Sequence, residues 1–164
     1  MAKSIVPPKP RILSNARNRV AIVASQFNPQ YSDALVESTI DELANIMPST
    51  RVDLIRVPGA YEIPLAAKLL LKNDDPTAII CLGVILEGET AHADLIATAV
   101  TDQLLALSLQ YEKPLIHEVL LLENEQQAQA RTQGGEINRG IDAAHAVAAM
   151  IEVTRELQRT QTKR

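Results

Sequence analysis

Cysteine is nearly missing from this 164-residue chain. Cys81 stands alone, which excludes an internal disulfide and any cysteine-cluster metal site. Tryptophan is absent and aromatics amount to 2%: Phe27, Tyr31, Tyr61 and Tyr111. Rings are therefore not general packing stock here, and the places they occupy carry information. Positive charge is not in excess either. Sixteen Lys/Arg stand against twenty Asp/Glu for a formal charge of −4 and a pI near 5.4, which leaves no basic stripe for a nucleic-acid backbone. No apolar run approaches the roughly 20 residues of a membrane span, and the start, Met1-Ala-Lys-Ser-Ile-Val-Pro-Pro8, lacks the apolar core of a secretory signal. His92, His117 and His145 lack paired metal-ligand spacing. The expectation is a soluble, cytoplasmic protein with no metal, nucleic-acid partner or membrane partner. What is present is apolar material, 46% of residues, enough for the full core of one domain and not two.

The apolar pattern divides the chain. Residues 1–18, with Pro7, Pro8 and Pro10, suit an extended segment or edge strand and not a helix. From Arg19 to about Arg159 strands and helices alternate. Arg19–Ala24, Arg51–Val57, Ala78–Ile85 and Pro114–Leu122 read as strands, the third so continuously apolar that it belongs at the centre of a parallel sheet, buried on both faces. Between and after them lie helical patterns over Tyr31–Met47, Glu62–Lys72, Asp94–Tyr111, Asn124–Arg131 and Asn138–Arg159, marked by apolar residues at helical spacing such as Val36, Ile40 and Leu43. Residues 160–164 read as a polar tail. Four strand–helix alternations with short connections predict an α/β domain, a doubly wound four-stranded parallel sheet with helices on both faces, a flavodoxin-like three-layer sandwich. Ligands in such folds bind beyond the carboxyl ends of the strands. The loops there, 25–29, 58–62, 87–92 and 122–124, hold Phe27, Tyr61 and His92.

Established fingerprints do not fit these loops. There is no Gly-x-Gly-x-x-Gly after the first strand, no Gly-Lys-Ser/Thr, and no Gly-x-Ser-x-Gly elbow. Gly88-Glu-Thr-Ala-His92 precedes a helix, where backbone amides and the Thr90 hydroxyl can hold an oxyanion beside a histidine able to move a proton near neutrality. It reads equally well as a glycine turn with Asp94 as helix cap and His92 exposed. Tyr61-Glu62 after Gly59 is either a ring and a carboxylate facing a ligand or a tight turn with an acid at a helix start. Phe27 in a polar loop is a packing plug or a plate for a flat heterocycle. Arg131, just before Gly134-Gly135, is a phosphate clamp or a solvated helix end. Arg139 follows the N-cap candidate Asn138, and His117 and His145 fall within a strand and a helix, where histidines are usually structural.

Taken together, Ser25-Gln-Phe-Asn28, Val57-Pro-Gly-Ala-Tyr-Glu-Ile-Pro64, Gly83-Val-Ile-Leu-Glu-Gly-Glu-Thr-Ala-His92, Glu123-Asn124 with Arg131, and Asn138-Arg-Gly140 resemble the lumazine synthase family of riboflavin biosynthesis, in order and spacing, over roughly residues 19–157. The resemblance implies a cofactor-free transferase that condenses 5-amino-6-(ribitylamino)pyrimidinedione with 3,4-dihydroxy-2-butanone 4-phosphate to 6,7-dimethyl-8-ribityllumazine, the penultimate step of the pathway. By position it implies that Phe27 stacks on the pyrimidine and that Ala60, Tyr61, Glu62 and Ile85 contact the ring and ribityl chain. Glu89, Thr90 and Arg131 would hold the phosphate, and His92 would shuttle protons. It also implies a homo-oligomer whose sites lie between neighbouring subunits of a pentamer, some members building a sixty-subunit shell, with the N-terminal segment joining a neighbour's sheet.

Three positions depart from the family pattern. His117 stands where a neighbouring subunit commonly presents an aromatic ring to the pyrimidine, Arg139 replaces the usual lysine, and Ala93 replaces a common aromatic after the histidine. A catalytically weak paralogue that forms shells or binds flavins or lumazines is the alternative that His117 raises, and a generic flavodoxin-like binding module is the other.

Overall fold

The computed structural model describes residues 17–161. Most of the expected extended N-terminal segment, up to residue 16, lies outside them, as do residues 162–164 of the expected tail. Four strands, β1 (Arg19–Ser25), β2 (Arg51–Val57), β3 (Ala78–Leu86) and β4 (Leu115–Leu122), form one sheet in the order β2-β1-β3-β4, parallel throughout. The apolar runs explain the order. Val20, Ile22, Val23 and Ala24 of β1 and Ile79, Ile80, Cys81 and Leu82 of β3 are all fully buried, as strands covered on both faces must be, so these two take the centre. Burial also pushes the Cys81 thiol up to about 12, which leaves it an inert packing group.

Five helices cover the sheet: α1 (Pro29–Ile46), α2 (Ile63–Asn73), α3 (His92–Tyr111), α4 (Glu125–Thr132) and α5 (Arg139–Gln161). One core layer joins α1, α4 and α5 to side chains such as Ile22, Ile80 and Leu82. The other joins α2 and α3 to Val23, Ile79, Cys81 and Val119. The three-layer doubly wound architecture is thus the one the apolar pattern predicts. No described helix is long and apolar enough to cross a membrane.

Helix starts differ from the pattern reading for local reasons. α1 opens at Pro29, two residues early, because proline needs no hydrogen bond at the first position and Asn28 before it takes a left-handed conformation (φ 51°). α3 opens at His92, with Ala91 and not Asp94 at the cap. Ala60–Glu62 forms a separate 3-10 turn ahead of α2. Asn138 caps α5 as expected, its Oδ1 accepting the amides of Gly140 (3.0 Å) and Ile141 (3.1 Å), and the helix runs on to Gln161, two residues into the stretch read as tail.

Two joints fix α5. Its first turn lies hard against α1. The Thr39 hydroxyl sits between the carbonyls of Leu35 (2.7 Å) and Gly140 (3.1 Å), and His145 Nε2 meets Glu42 Oε1 at 2.6 Å. A Cβ on Gly140 would approach the Leu35 carbonyl to 2.7 Å and collide with Ser38 Oγ, so only glycine permits this approach. The second joint is ionic. Arg139 Nε donates to Glu118 of β4 at 3.0 Å and its Nη1 to Asp142 at 3.1 Å. Glu118 is 6% exposed, and burial drives its carboxyl up to about 7 while Arg139 pulls the other way.

Each joint carries an expectation. Gly140→Ala should destabilise the fold by about 2 kcal/mol through overpacking at the α1–α5 crossing, measured by urea unfolding, and a loss below about 0.5 kcal/mol, the range of neutral surface changes, would contradict the close contact. For Glu118, the unfolded chain loses its proton near the ordinary value of 4.5 while the folded chain keeps it to about 7. Stability contributed by this group is therefore whole below 4.5, falls as pH rises to about 7 and is flat above. Unfolding free energies across that range, wild type minus Glu118→Gln, should decline between those values, and a difference independent of pH there would refute the burial effect.

Candidate active site

The register of the sheet gathers three loops at its carboxyl end, with β3 running on to Leu86, past the ends of β1 and β2. Val23 pairs with Cys81 and Ala24 with Leu82, while Ser25 pairs with Val57, so the segments after β1, β2 and β3 leave the sheet side by side at its carboxyl end. Backbone bonds pin them there: Gln26 N–H to the Val57 carbonyl and Glu87 N–H to the Leu122 carbonyl, both 2.8 Å. Between them opens a cleft of about 810 Å³, within the usual size of a small-molecule site.

Each wall has a local cause. The β1–α1 loop supplies Phe27 and Asn28. Asn28 Nδ2 donates to the Val84 carbonyl at 2.8 Å, tying the loop to β3, and Phe27 is left 70% exposed. A plug would be buried, so the ring is a wall of the cleft. The β2–α2 corner supplies Gly59, Ala60, Tyr61 and Glu62. Gly59 is extended, and a Cβ there would stand 2.9 Å from Glu62 Oε2, so the bare glycine lets the carboxylate fold back over the turn. Ala60 is buried and anchors the corner, while Tyr61 is 67% exposed. Val84, Ile85 and Leu86 at the end of β3 make the floor.

The fourth wall is the start of α3: Gly88, Thr90, His92, Ala93, Leu95 and Ile96. Its first turn presents backbone amides with the positive end of the helix dipole. Thr90 Oγ1 accepts the His92 amide at 3.4 Å. A ring, a carboxylate, an apolar floor, an amide-rich helix end and an imidazole thus share one cavity. No lysine or arginine stands among the lining residues.

The cleft therefore unites Phe27, Ala60, Tyr61, Glu62, Ile85, Thr90 and His92. Glu89 sits on the same loop but outside the wall. His117, Arg131 and Arg139 also lie outside it. Arg131, on α4 behind the sheet, is half-buried with Nη1 at 3.4 Å from the Gln127 carbonyl. Arg139 is in the ionic joint described above. His117 turns to the α3 face, its Nε2 2.7 Å from Thr101 Oγ1 and its Nδ1 3.1 Å from the Val119 amide. Among the lining residues, Leu95 and Ile96 lie outside the motif segments, whereas Asn28, Gly59, Val84, Leu86 and Gly88 stand within them without having been assigned a ligand contact. The signal for Asn28 was available, since an asparagine just before a proline-started helix suits a left-handed residue. The two leucine-type residues of α3 carry no such signal.

Comparison with known proteins identifies the family. The sequence model of the family described as 6,7-dimethyl-8-ribityllumazine synthase matches residues 17–155. A 6,7-dimethyl-8-ribityllumazine synthase 1 from Caulobacter vibrioides is 38% identical over 85% of this chain and 92% of its own length. A 6,7-dimethyl-8-ribityllumazine synthase from Coxiella burnetii is 36% identical over 87% of this chain and 95% of its own, and one from Stenotrophomonas maltophilia is 34% identical over 85% and 90%. All five motif segments fall inside the matched region, and the chain accordingly belongs to the 6,7-dimethyl-8-ribityllumazine synthase family, transferases of riboflavin biosynthesis.

Proposed function

We propose that the cleft joins 5-amino-6-(ribitylamino)pyrimidinedione to 3,4-dihydroxy-2-butanone 4-phosphate, losing phosphate and water, to give 6,7-dimethyl-8-ribityllumazine. The observation that carries this reading is the meeting of an exposed phenyl ring with an amide-rich helix end and a histidine over an apolar floor. One half suits a flat heterocycle, the other a phosphate. Phe27 stacks on the pyrimidine with Ile85 beneath it, and Ala60, Tyr61 and Glu62 meet the ring edge and the ribityl hydroxyls. Thr90 and the first amides of α3 receive the phosphate, with Glu89 on the same loop. His92 takes the proton released as the amine adds to the ketone and returns it to a leaving oxygen.

A dianion is poorly held by amides alone, and the cleft wall has no cation. A second copy of the chain supplies it in this reading: Arg131 reaches the phosphate, while His117 and Arg139 close over the pyrimidine from the far side. Leu65 and Leu69 on α2 and Leu95, Leu105 and Leu109 on α3 are exposed, apolar surface that suits burial between copies. The family resemblance makes that oligomer a pentamer. No cofactor enters, because an amine and a ketone already react unaided. Holding two reactants in register supplies roughly 7–11 kcal/mol, whereas acid–base help gives about 10²- to 10⁴-fold. Positioning therefore dominates.

Incubation with both substrates should produce lumazine absorbance, and its absence would defeat the assignment. Arg131→Ala should raise KM for the butanone phosphate about 10- to 100-fold, the worth of a hydrogen bond to a charged group, with a smaller effect on kcat. An unchanged KM in steady-state kinetics would remove Arg131 from the phosphate site. His92→Ala should slow turnover by no more than about 10⁴-fold and keep measurable activity, and a dead but folded variant would assign His92 a larger part. At Asn28 two variants separate backbone from clamp. Asn28→Gly keeps the left-handed conformation and Asn28→Asp keeps the shape, but both lose the donor to Val84. Each should raise KM for the pyrimidine about 3- to 10-fold, and normal binding in both would release Phe27 from dependence on this bond.

A further inference from the structure

His117 is committed on both ring nitrogens. Nδ1 accepts the Val119 amide at 3.1 Å, so it carries no proton. A neutral ring then bears its proton on Nε2, which donates to Thr101 Oγ1 at 2.7 Å, and the threonine hydroxyl passes its own proton to the Ala97 carbonyl at 2.8 Å. The chain of donors runs one way, from strand amide to imidazole to hydroxyl to helix carbonyl, with no donor facing a donor. Protonating the ring would set Nδ1–H against the Val119 N–H. Burial likewise depresses the His117 pKa from its ordinary value.

The position makes this device meaningful. Among the described residues β4 is an outer strand of the sheet, paired by β3 alone, and the Val119 amide finds its acceptor within its own strand. Glu118, the next residue, belongs to the opposite face with Arg139, so His117 does not share that ionic cluster. We infer that Thr101 is a positioning residue that fixes the plane of His117, whose neutral Nε2–H tautomer the Val119 amide dictates, leaving the imidazole its π face, and not a proton or a charge, to offer a flat heteroaromatic substrate. This deepens the reading above and rests on His117 meeting the pyrimidine. A neutral plate at this point also draws no phosphate away from Arg131, so the two substrates stay sorted between their halves of the site.

The experiment uses the intact protein labelled with ¹⁵N at its three histidines, with His117→Phe to assign the resonance. At neutral pH the His117 ring should give one tautomer, protonated at Nε2 and bare at Nδ1. Thr101→Val should keep the Nε2–H tautomer, which the Val119 amide still dictates, but shift the Nε2 resonance of a ring no longer held there and raise KM for the aminopyrimidine about 3- to 10-fold, the worth of one neutral hydrogen bond, with kcat falling less than KM rises. Thr101→Ser should restore both. A charged ring or an Nδ1–H form in the wild type overturns the lock itself. A locked ring with KM unmoved in both Thr101→Val and His117→Ala overturns the inference at its other support, the placement of His117 against substrate. A rise in KM for His117→Ala alone, with Thr101→Val normal, denies Thr101 its part.

Discussion

The parallel pairing of β1 with β3 is the constraint on which the site depends. Both strands are buried on both faces, so neither can carry a polar functional group along its length, and chemistry is pushed to the ends. The two run in register from Val20 opposite Ala78 to Ala24 opposite Leu82, and β3 continues to Leu86, so its last residues reach out beside the loop that follows β1. The Asn28–Val84 bond then makes that loop and the end of β3 a single wall. A slip of one residue would turn every core side chain toward the wrong layer, which couples the hydrophobic effect to the placement of Phe27.

That constraint also divides the functional residues into two groups. Those after β1, β2 and β3 converge on the cleft. Those on β4, α4 and α5 do not, because β4 is the far strand of the order β2-β1-β3-β4 and its helices return to the other layer. A phosphate in the cleft finds amides and a hydroxyl but no guanidinium in the wall. Leu65 and Leu69 of α2 and Leu95, Leu105 and Leu109 of α3 also remain exposed, Leu95 at the cleft itself. In the proposed function, a neighbouring copy supplies that cation and covers the exposed leucines together.

The sequence discloses these features unevenly. Strand positions were legible nearly to the residue, since a two-sided apolar run such as Ile79-Ile-Cys-Leu82 has few other readings. Helix starts were not. Periodicity sees buried positions, whereas starts are set by caps and by single conformations such as that of Asn28, and the 3-10 turn at 60–62 has no period to detect. Residues placed in the cleft by motif, from Phe27 to His92, could be named because loops after parallel strands have a known destination. The Glu118–Arg139–Asp142 cluster was invisible: alternation along β4 predicts that Glu118 faces a helix, but no local pattern says that a cation 21 residues later meets it. Contacts of that length belong to the tertiary structure.

β4 shows how the unusual residues make sense as a set. His117 points to α3 and Glu118 to α5, and each is tied at once: the imidazole to Thr101 and Val119, the carboxylate to Arg139. An imidazole offers less apolar area than a phenyl ring, so on burial alone it would be the weaker plate. What it gains is order. A phenyl ring is held by packing, whereas this one is held at both nitrogens, and a side chain already fixed loses less freedom when a ligand arrives. Arg139 follows the same logic, since its planar fork is spent on two carboxylates where a lysine would keep a flexible stem. On this strand, fixed geometry takes the place of apolar contact, which suits the proposed condensation, where holding two molecules in register does most of the work.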